Sequence, residues 1–229
     1  NLSPGELGRV MDLAEDSRGN IWVAIEGKGL ARVGRDHRIR WYGSEEGVDP
    51  RVFSVLVDKT DRVWVGSVQG FLLGDGDCFR LISLPGQDKE IVPYVRRLFQ
   101  ASDGSIYLCT GVDGIIQYDQ GEIRQWKGTG ITTGNSAYAI HEVGDGRFFV
   151  GTGVGLFVLD GETLERTEFP DPVIRRPIYC IVPDAEGRVW LGTDAGVYIW
   201  DGEQLQHYSV DDGLIGSEIN RDGFELDSR

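Results

Sequence analysis

The sequence predicts an all-β fold, a β-propeller of four-stranded blades, on three observations. An aromatic residue recurs at Trp22, Trp64, Tyr107, Phe149 and Trp190, in steps of 42, 43, 42 and 41 residues. Three residues before each stands a turn tip: Gly19, Asp61, Gly104, Gly146 and Gly187. Six or seven residues after each comes a glycine followed by an apolar residue: Gly29-Leu30, Gly70-Phe71, Gly114-Ile115, Gly155-Leu156 and Gly196-Val197. An internal period near forty residues with several short strands per repeat is the signature of propeller blades. No stretch of useful length has a helical period.

Each repeat reads as four strands, A to D. In the first, strand A is Val10-to-Ala14, and Glu15-to-Gly19 forms the turn. Strand B is Asn20-to-Ile25, strand C Gly29-to-Val33 and strand D Arg38-to-Tyr42. Asp16, Asp58 and Asp184 suit the A–B turn because a carboxylate accepts hydrogen bonds from amides two or three residues on. Glycine at the tip supplies the left-handed conformation, with Asp61 as a strained substitute in the second repeat. Strand B alternates, as in Val63-Trp64-Val65-Gly66, so its aromatics, each burying roughly 150–250 Å², are expected to dominate the core. Strand D mixes charges with apolar residues, for example Ile39-Arg40-Trp41-Tyr42, as an outer edge that must resist pairing does. The longer loops after strand D are expected to converge on the mouth of a central channel, where rigidly held loops carry binding residues.

A single domain over 1–229 is expected, with blades at about 9–50, 51–93, 94–136, 137–177 and 178–218. Residues 219–229 read as the first strand of a sixth unit, ending where glycine and tryptophan should follow, as in a fragment of a larger ring.

Composition narrows the function. With 229 residues, 40 % of them hydrophobic and 10 % aromatic, the chain can bury a real core. Its formal net charge of −14 argues against nucleic-acid partners and against contact with anionic membranes, whose phosphates call for Lys and Arg. No apolar run is long enough to span a membrane. The N-terminal NLSPGELGRV has neither a basic nor an apolar signal region and no Met, so a processed or excised segment is expected. Cys78, Cys109 and Cys180 are scattered and odd in number, which points to neither a disulfide framework nor a zinc site. Cys109 stands in the small-residue slot of Ala24, Gly66, Gly151 and Gly192 and reads as a packed side chain.

The pattern Asp-x-x-Gly-x-aliphatic-Trp-aliphatic-Gly-Thr, then Gly-apolar, stands as DAEGRVWLGTDAGVYIWD at 184–201 and DSRGNIWVAIEGKGLARV at 16–33. It stands more loosely as DKTDRVWVGSVQGFLL and GDGRFFVGTGVGLFVLD. It resembles the two-component regulator propeller repeat, over nearly the whole chain. That resemblance implies a seven-bladed propeller in the extracytoplasmic sensor region of a bacterial signalling receptor. Its location would be periplasmic or extracellular, although the free cysteines also fit a cytoplasmic setting. It further implies a carbohydrate-responsive role and an output domain outside this segment.

Arginines recur near the start of strand A: Arg9, Arg51, Arg96 with Arg97, Arg175 with Arg176, and Arg221. The fourth repeat has Asn135 and Ser136 there. Guanidinium groups bind carboxylate, sulfate or phosphate bidentately, and Tyr94, Tyr138 and Tyr179 nearby can stack on sugar rings. The expected ligand site is therefore Arg51, Tyr94, Arg96, Arg97, Tyr138, Arg175, Arg176, Tyr179, Asn220 and Arg221, taking a small or oligosaccharide ligand of anionic character. The plainer reading is that these arginines pair with the abundant Asp and Glu of adjacent loops.

Catalytic residues, metal ligands and cofactors are not expected. His37, His141 and His207 show no metal-ligand spacing, and His141, the one histidine expected near the axis, has no identifiable catalytic partner. Two alternatives stand beside the sensor: a protein–protein interaction scaffold, including a homo-oligomer, and a propeller lyase or hydrolase, given a more distant resemblance to streptogramin lyases.

Overall fold

A computed structural model describes residues 8–85, 90–91, 93–128, 136–144, 146–167 and 175–219. The strands follow one another in groups of four. The first sheet is β1 (Val10–Glu15), β2 (Ile21–Ile25), β3 (Gly29–Val33) and β4 (Ile39–Tyr42). The second is β5 (Val52–Val57), β6 (Val63–Ser67), β7 (Gly70–Asp75) and β8 (Cys78–Leu81), and a two-residue pair follows, β9 (Leu84–Pro85) with β10 (Glu90–Ile91). The third is β11 (Val95–Gln100), β12 (Ile106–Thr110), β13 (Ile115–Asp119) and β14 (Glu122–Trp126). The fourth is β15 (Ala137–Gly144), β16 (Arg147–Thr152), β17 (Gly155–Leu159) and β18 (Leu164–Arg166). The fifth is β19 (Ile178–Pro183), β20 (Val189–Thr193), β21 (Gly196–Trp200) and β22 (Leu205–Tyr208). All five are four-stranded sheets in sequential order, an all-β architecture with the strands where the repeat put them. The sixth-unit strand, Phe224 to Arg229, lies outside the described residues.

The chain divides into two compact units, Asn1–Gly111 with Ile116–Gln125 and Val112–Ile115 with Trp126–Arg229. Within the first, the strand-B aromatic of one sheet packs on the next sheet. Trp22 meets Tyr42 and, edge-on, Phe79 of the second sheet, with ring centroids 5.3 and 6.2 Å away. Trp64, 1 % exposed, stacks on Phe71 at 4.7 Å and joins Leu98, Leu108 and Ile116 of the third sheet. In the second unit Phe149 packs against Ile181, Leu191 and Tyr198 of the fifth sheet.

The repeat motif has a physical meaning that its spacing alone does not show. Asp58 Oδ1 accepts the Thr60 and Arg62 amides, at 2.8 and 3.0 Å, and closes the A–B turn. Its Oδ2 accepts Arg62 Nε and, at 2.8 Å, the indole Nε1–H of Trp64. The same carboxylate-to-indole bond joins Asp16 to Trp22 at 3.0 Å and Asp184 to Trp190 at 2.8 Å. Aspartate and tryptophan, six residues apart, are thus one device: the turn former also satisfies the donor of a core ring. The amides it caps lie two and four residues on, a correction to the two or three expected from turn chemistry. Burial raises the Asp58 pKa, but the bonds from Trp64, Thr60 and Arg62 overcome that and bring it to about 2. Asp184 is likewise held at about 2, the bonds from Trp190 and Arg188 outweighing desolvation.

The glycines after strand B are set by strand D. A Cβ on Gly29, whose φ is +92°, would lie 2.6 Å from the Tyr42 carbonyl, and one on Gly196 would collide with the Tyr208 carbonyl. The preceding Thr193 hydroxyl donates to the Gly196 carbonyl at 2.9 Å and accepts the Ala195 amide, so Gly-Thr-x-x-Gly closes the B–C turn. In the second and fourth sheets the small slot in strand B exists because the next sheet's first strand approaches there. A Cβ on Gly151 would sit 2.6 Å from the Ile178 carbonyl. Cys109 fills the same slot fully buried, and burial pushes its thiol up to about 12.

Candidate functional site

Every strand A breaks register after its first residue. The pairing shifts between Val10 and Asp12, Val52 and Ser54, Val95 and Arg97, Ala137 and Ala139, and Ile178 and Cys180. The residue left over in each bulge is Met11, Phe53, Arg96, Tyr138 and Tyr179. A bulge kinks its strand and re-aims one side chain, so these five positions, each eleven residues before its ruler aromatic, are equivalent by geometry as well as by spacing.

The described candidate residues fall into two clusters, one in each unit. In the first unit, the Arg96 guanidinium lies 4.8 Å above the Tyr94 ring, which meets Phe53 edge-on at 4.8 Å. Gly111 leaves the space, since a Cβ there would lie 2.6 Å from the Tyr94 ring. Arg97 Nη1 reaches Asp12 Oδ1 at 3.5 Å, bridging the first strands of the third and first sheets. Asp12 also accepts the Leu13 and Val55 amides, and Ser54 Oγ accepts the Leu98 amide at 3.0 Å. Asp12 and Ser54, each the residue after a bulge, thus tie β1 to β5 and β5 to β11. Burial pushes the Asp12 carboxyl above its ordinary value against the Arg97 charge and the two amides.

In the second unit, the Tyr138 and Tyr179 rings lie 5.5 Å apart at a tilt of 49°. Arg176 pairs with Asp194 in the B–C turn at 3.3 Å, and Arg175 is exposed in the loop before β19. Asn220 and Arg221, like Asn135, lie outside the described residues.

The arginines do not share one level. Arg51 precedes its strand, Arg96 occupies a bulge, Arg97 follows it, and Arg175 and Arg176 lie in a loop. Arg51 forms a local pair with Asp49, Nε to Oδ1 at 3.1 Å and the amide to the same oxygen at 2.7 Å, which holds the Asp49 carboxyl below its ordinary range. Sequence reasoning missed Asp12, Ser54 and Phe53. Their signal was spacing: Asp12 and Ser54 stand ten residues before the ruler aromatic, as Arg97 does, and Phe53 eleven, as Arg96 does.

His141 is not at the bulge level. It is the fifth residue of β15, opposite Phe149, where the other repeats carry Ala14, Leu56, Phe99 and Val182. His207 lies on β22, stacked on Tyr198 at 4.2 Å with Nε2 2.8 Å from the Ala195 carbonyl. Among the described residues no three His, Cys, Asp or Glu side chains converge as a metal site, and no helix is long and apolar enough to cross a membrane.

Successive four-stranded meanders, aromatic-on-sheet packing and bulged inner strands are those of a β-propeller, and solved structures agree. The chain matches the extracellular domain of the hybrid two component system BT3049 from B. thetaiotaomicron at 20 % identity and a TM-score of 0.77. It covers 92 % of itself and 29 % of that chain. The extracellular domain of the BT4673 hybrid system of the same organism matches at 18 % and 0.62, over 96 % and 35 %. Catalytically inactive virginiamycin B lyase from Staphylococcus aureus, solved with quinupristin, matches at 15 % and 0.74, over 95 % and 75 %. The chain therefore spans about a third or less of the two regulator chains.

At these identities the likeness establishes the propeller fold. A more specific tie comes from the sequence, which carries the two component regulator propeller repeat: residues 173–195 match that family's profile. A comparison with curated proteins gives no match.

Proposed function

We propose that this chain is part of the extracytoplasmic sensor propeller of a bacterial signalling receptor. It binds a small polar or oligosaccharide ligand of anionic character on the bulged inner strands β5 and β11 of the first unit. The observation that carries the reading is the content of those bulges: the Phe53 ring edge-on to Tyr94 and the Arg96 guanidinium resting on Tyr94. Rings stack on sugar faces, and a guanidinium held flat on a ring offers its edge to a carboxylate or sulfate. The repeat matched at 173–195 and the extracellular regulator domains of similar fold support the setting.

Isothermal titration with acidic and neutral oligosaccharides tests it. An acidic oligosaccharide is expected to bind, Arg96→Gln and Tyr94→Ala each to weaken it at least tenfold, and a neutral analogue to bind less tightly. Equal binding of the neutral sugar would remove the anionic character, and full binding by both variants would remove the site.

A further inference from the structure

The seam between the fourth and fifth sheets differs from the others in three linked positions. Where the first, second and fifth sheets have the aspartate–indole pair, the fourth has Val143 and Phe149, and where its neighbours have an apolar residue it has His141. Phe149 is only half-buried, as is Trp190, while Trp22, Trp64 and Tyr107 are buried. A second register shift, between Glu142 and Gly144, re-routes the end of β15 beside it. The outcome is a cavity of about 510 Å³, within the range of small-molecule sites.

Its walls are apolar and aromatic: Phe149, Val158, Pro183, Val189 and Trp200. Its polar lining is His141, Glu142, Arg147 and Asp201, two carboxylates against one guanidinium. Burial lowers the His141 pKa despite Glu142, which favours the neutral ring, and backbone bonds from Gln204 and Glu203 keep Asp201 ionised. An excess of negative charge beside aromatic faces attracts an ammonium group.

We infer that this seam is a second binding site, for a small organic cation with an aromatic body. It lies three or four residues along β15 and β19 from the Tyr138 and Tyr179 bulges, and it stands independently of the ligand site proposed in the first unit. Filling the space with the device used elsewhere in the chain should close it. In the Val143→Asp/Phe149→Trp double variant the indole occupies the cavity and its N–H finds a carboxylate.

The test is titration of the ¹⁵N-labelled chain with 2-phenylethylammonium, and with 3-phenylpropionate as a probe of similar shape and opposite charge. Saturable shifts around Phe149, Trp200 and Gly202 are expected with the cation, at least fivefold weaker in Glu142→Gln, and absent in the double variant. Phe149→Trp alone, which adds ring volume and an indole N–H without the aspartate, should also weaken binding and is a second reading beside the double variant. Lack of binding to the wild-type chain, or unchanged binding in the filled variants, overturns the site. Equal or tighter binding of 3-phenylpropionate overturns the ligand class.

Discussion

The second and fourth sheets solve the same packing problem with different chemistry. In the second, Asp58 closes the turn and holds the indole of a fully buried Trp64. In the fourth, Val143 and Phe149 stand at those positions, and neither needs the other. The third sheet takes a middle course. Its turn keeps the backbone bonds of the others, Ala101 N to Ser105 O at 2.9 Å and Gly104 N to Ala101 O at 3.0 Å. Asp103 caps Ser105 there instead, and Gln117 reaches the Ser105 hydroxyl. Tyr107 fills the core without an indole N–H. Carboxylate and indole are present together or absent together, because either alone leaves a buried polar group unsatisfied.

The largest effect should come from the ring. Trp64→Ala is expected to cost about 3–5 kcal/mol in urea unfolding, and Phe149→Ala no more than half of that, since Phe149 borders a cavity. Equal losses would break the contrast. Next is the carboxylate: Asp58→Ala should cost about 1–3 kcal/mol by stranding the indole and the turn amides. In a Trp64→Phe background the loss should shrink, giving a coupling of at least about 0.5 kcal/mol. Conversely, Ala101→Asp should destabilise the third sheet by burying an unpaired carboxylate, and adding Tyr107→Trp should recover most of the loss.

Acid sharpens the same comparison. Asp58 and Asp184 have folded pKa values near 2, below the ordinary 3.8. Their contribution is therefore fully present above about pH 4 and lost as the pH falls through 2. Asp12 runs the other way: its raised pKa favours the neutral form in the fold, so its contribution is present below about 3.8 and lost as the pH rises through the folded value. Asp58→Asn should flatten the acid limb of the stability curve, measured by thermal unfolding between pH 2 and 7. An unchanged acid limb would detach the carboxylate from the turn.

The smallest effect belongs to Asp61, which holds a left-handed φ of +66°. The strain expected there has a return: Asp61 accepts the Ser17 amide at 2.8 Å and the Ser17 hydroxyl at 2.9 Å, joining the first and second turns. Asp61→Gly relieves the strain and loses both bonds, so a net change within about 1 kcal/mol is expected. A clear gain in stability would mean that the link between the turns contributes nothing.

Read by itself, the sequence determined the repeat, the four strands of each unit, the turn glycines and the core aromatics. Each follows from local pattern: alternation, a tip that needs positive φ, a ring at fixed spacing. The tertiary structure alone decided the rest. One bulge per inner strand re-aims Arg96, Tyr138 and Tyr179, which their common eleven-residue spacing from the ruler aromatic does not show. Arg97 meets Asp12 from two sheets away, and His141 faces a seam instead of an axis. Contacts between sheets depend on residues forty or more positions apart, and a period carries no record of which face such residues turn toward one another.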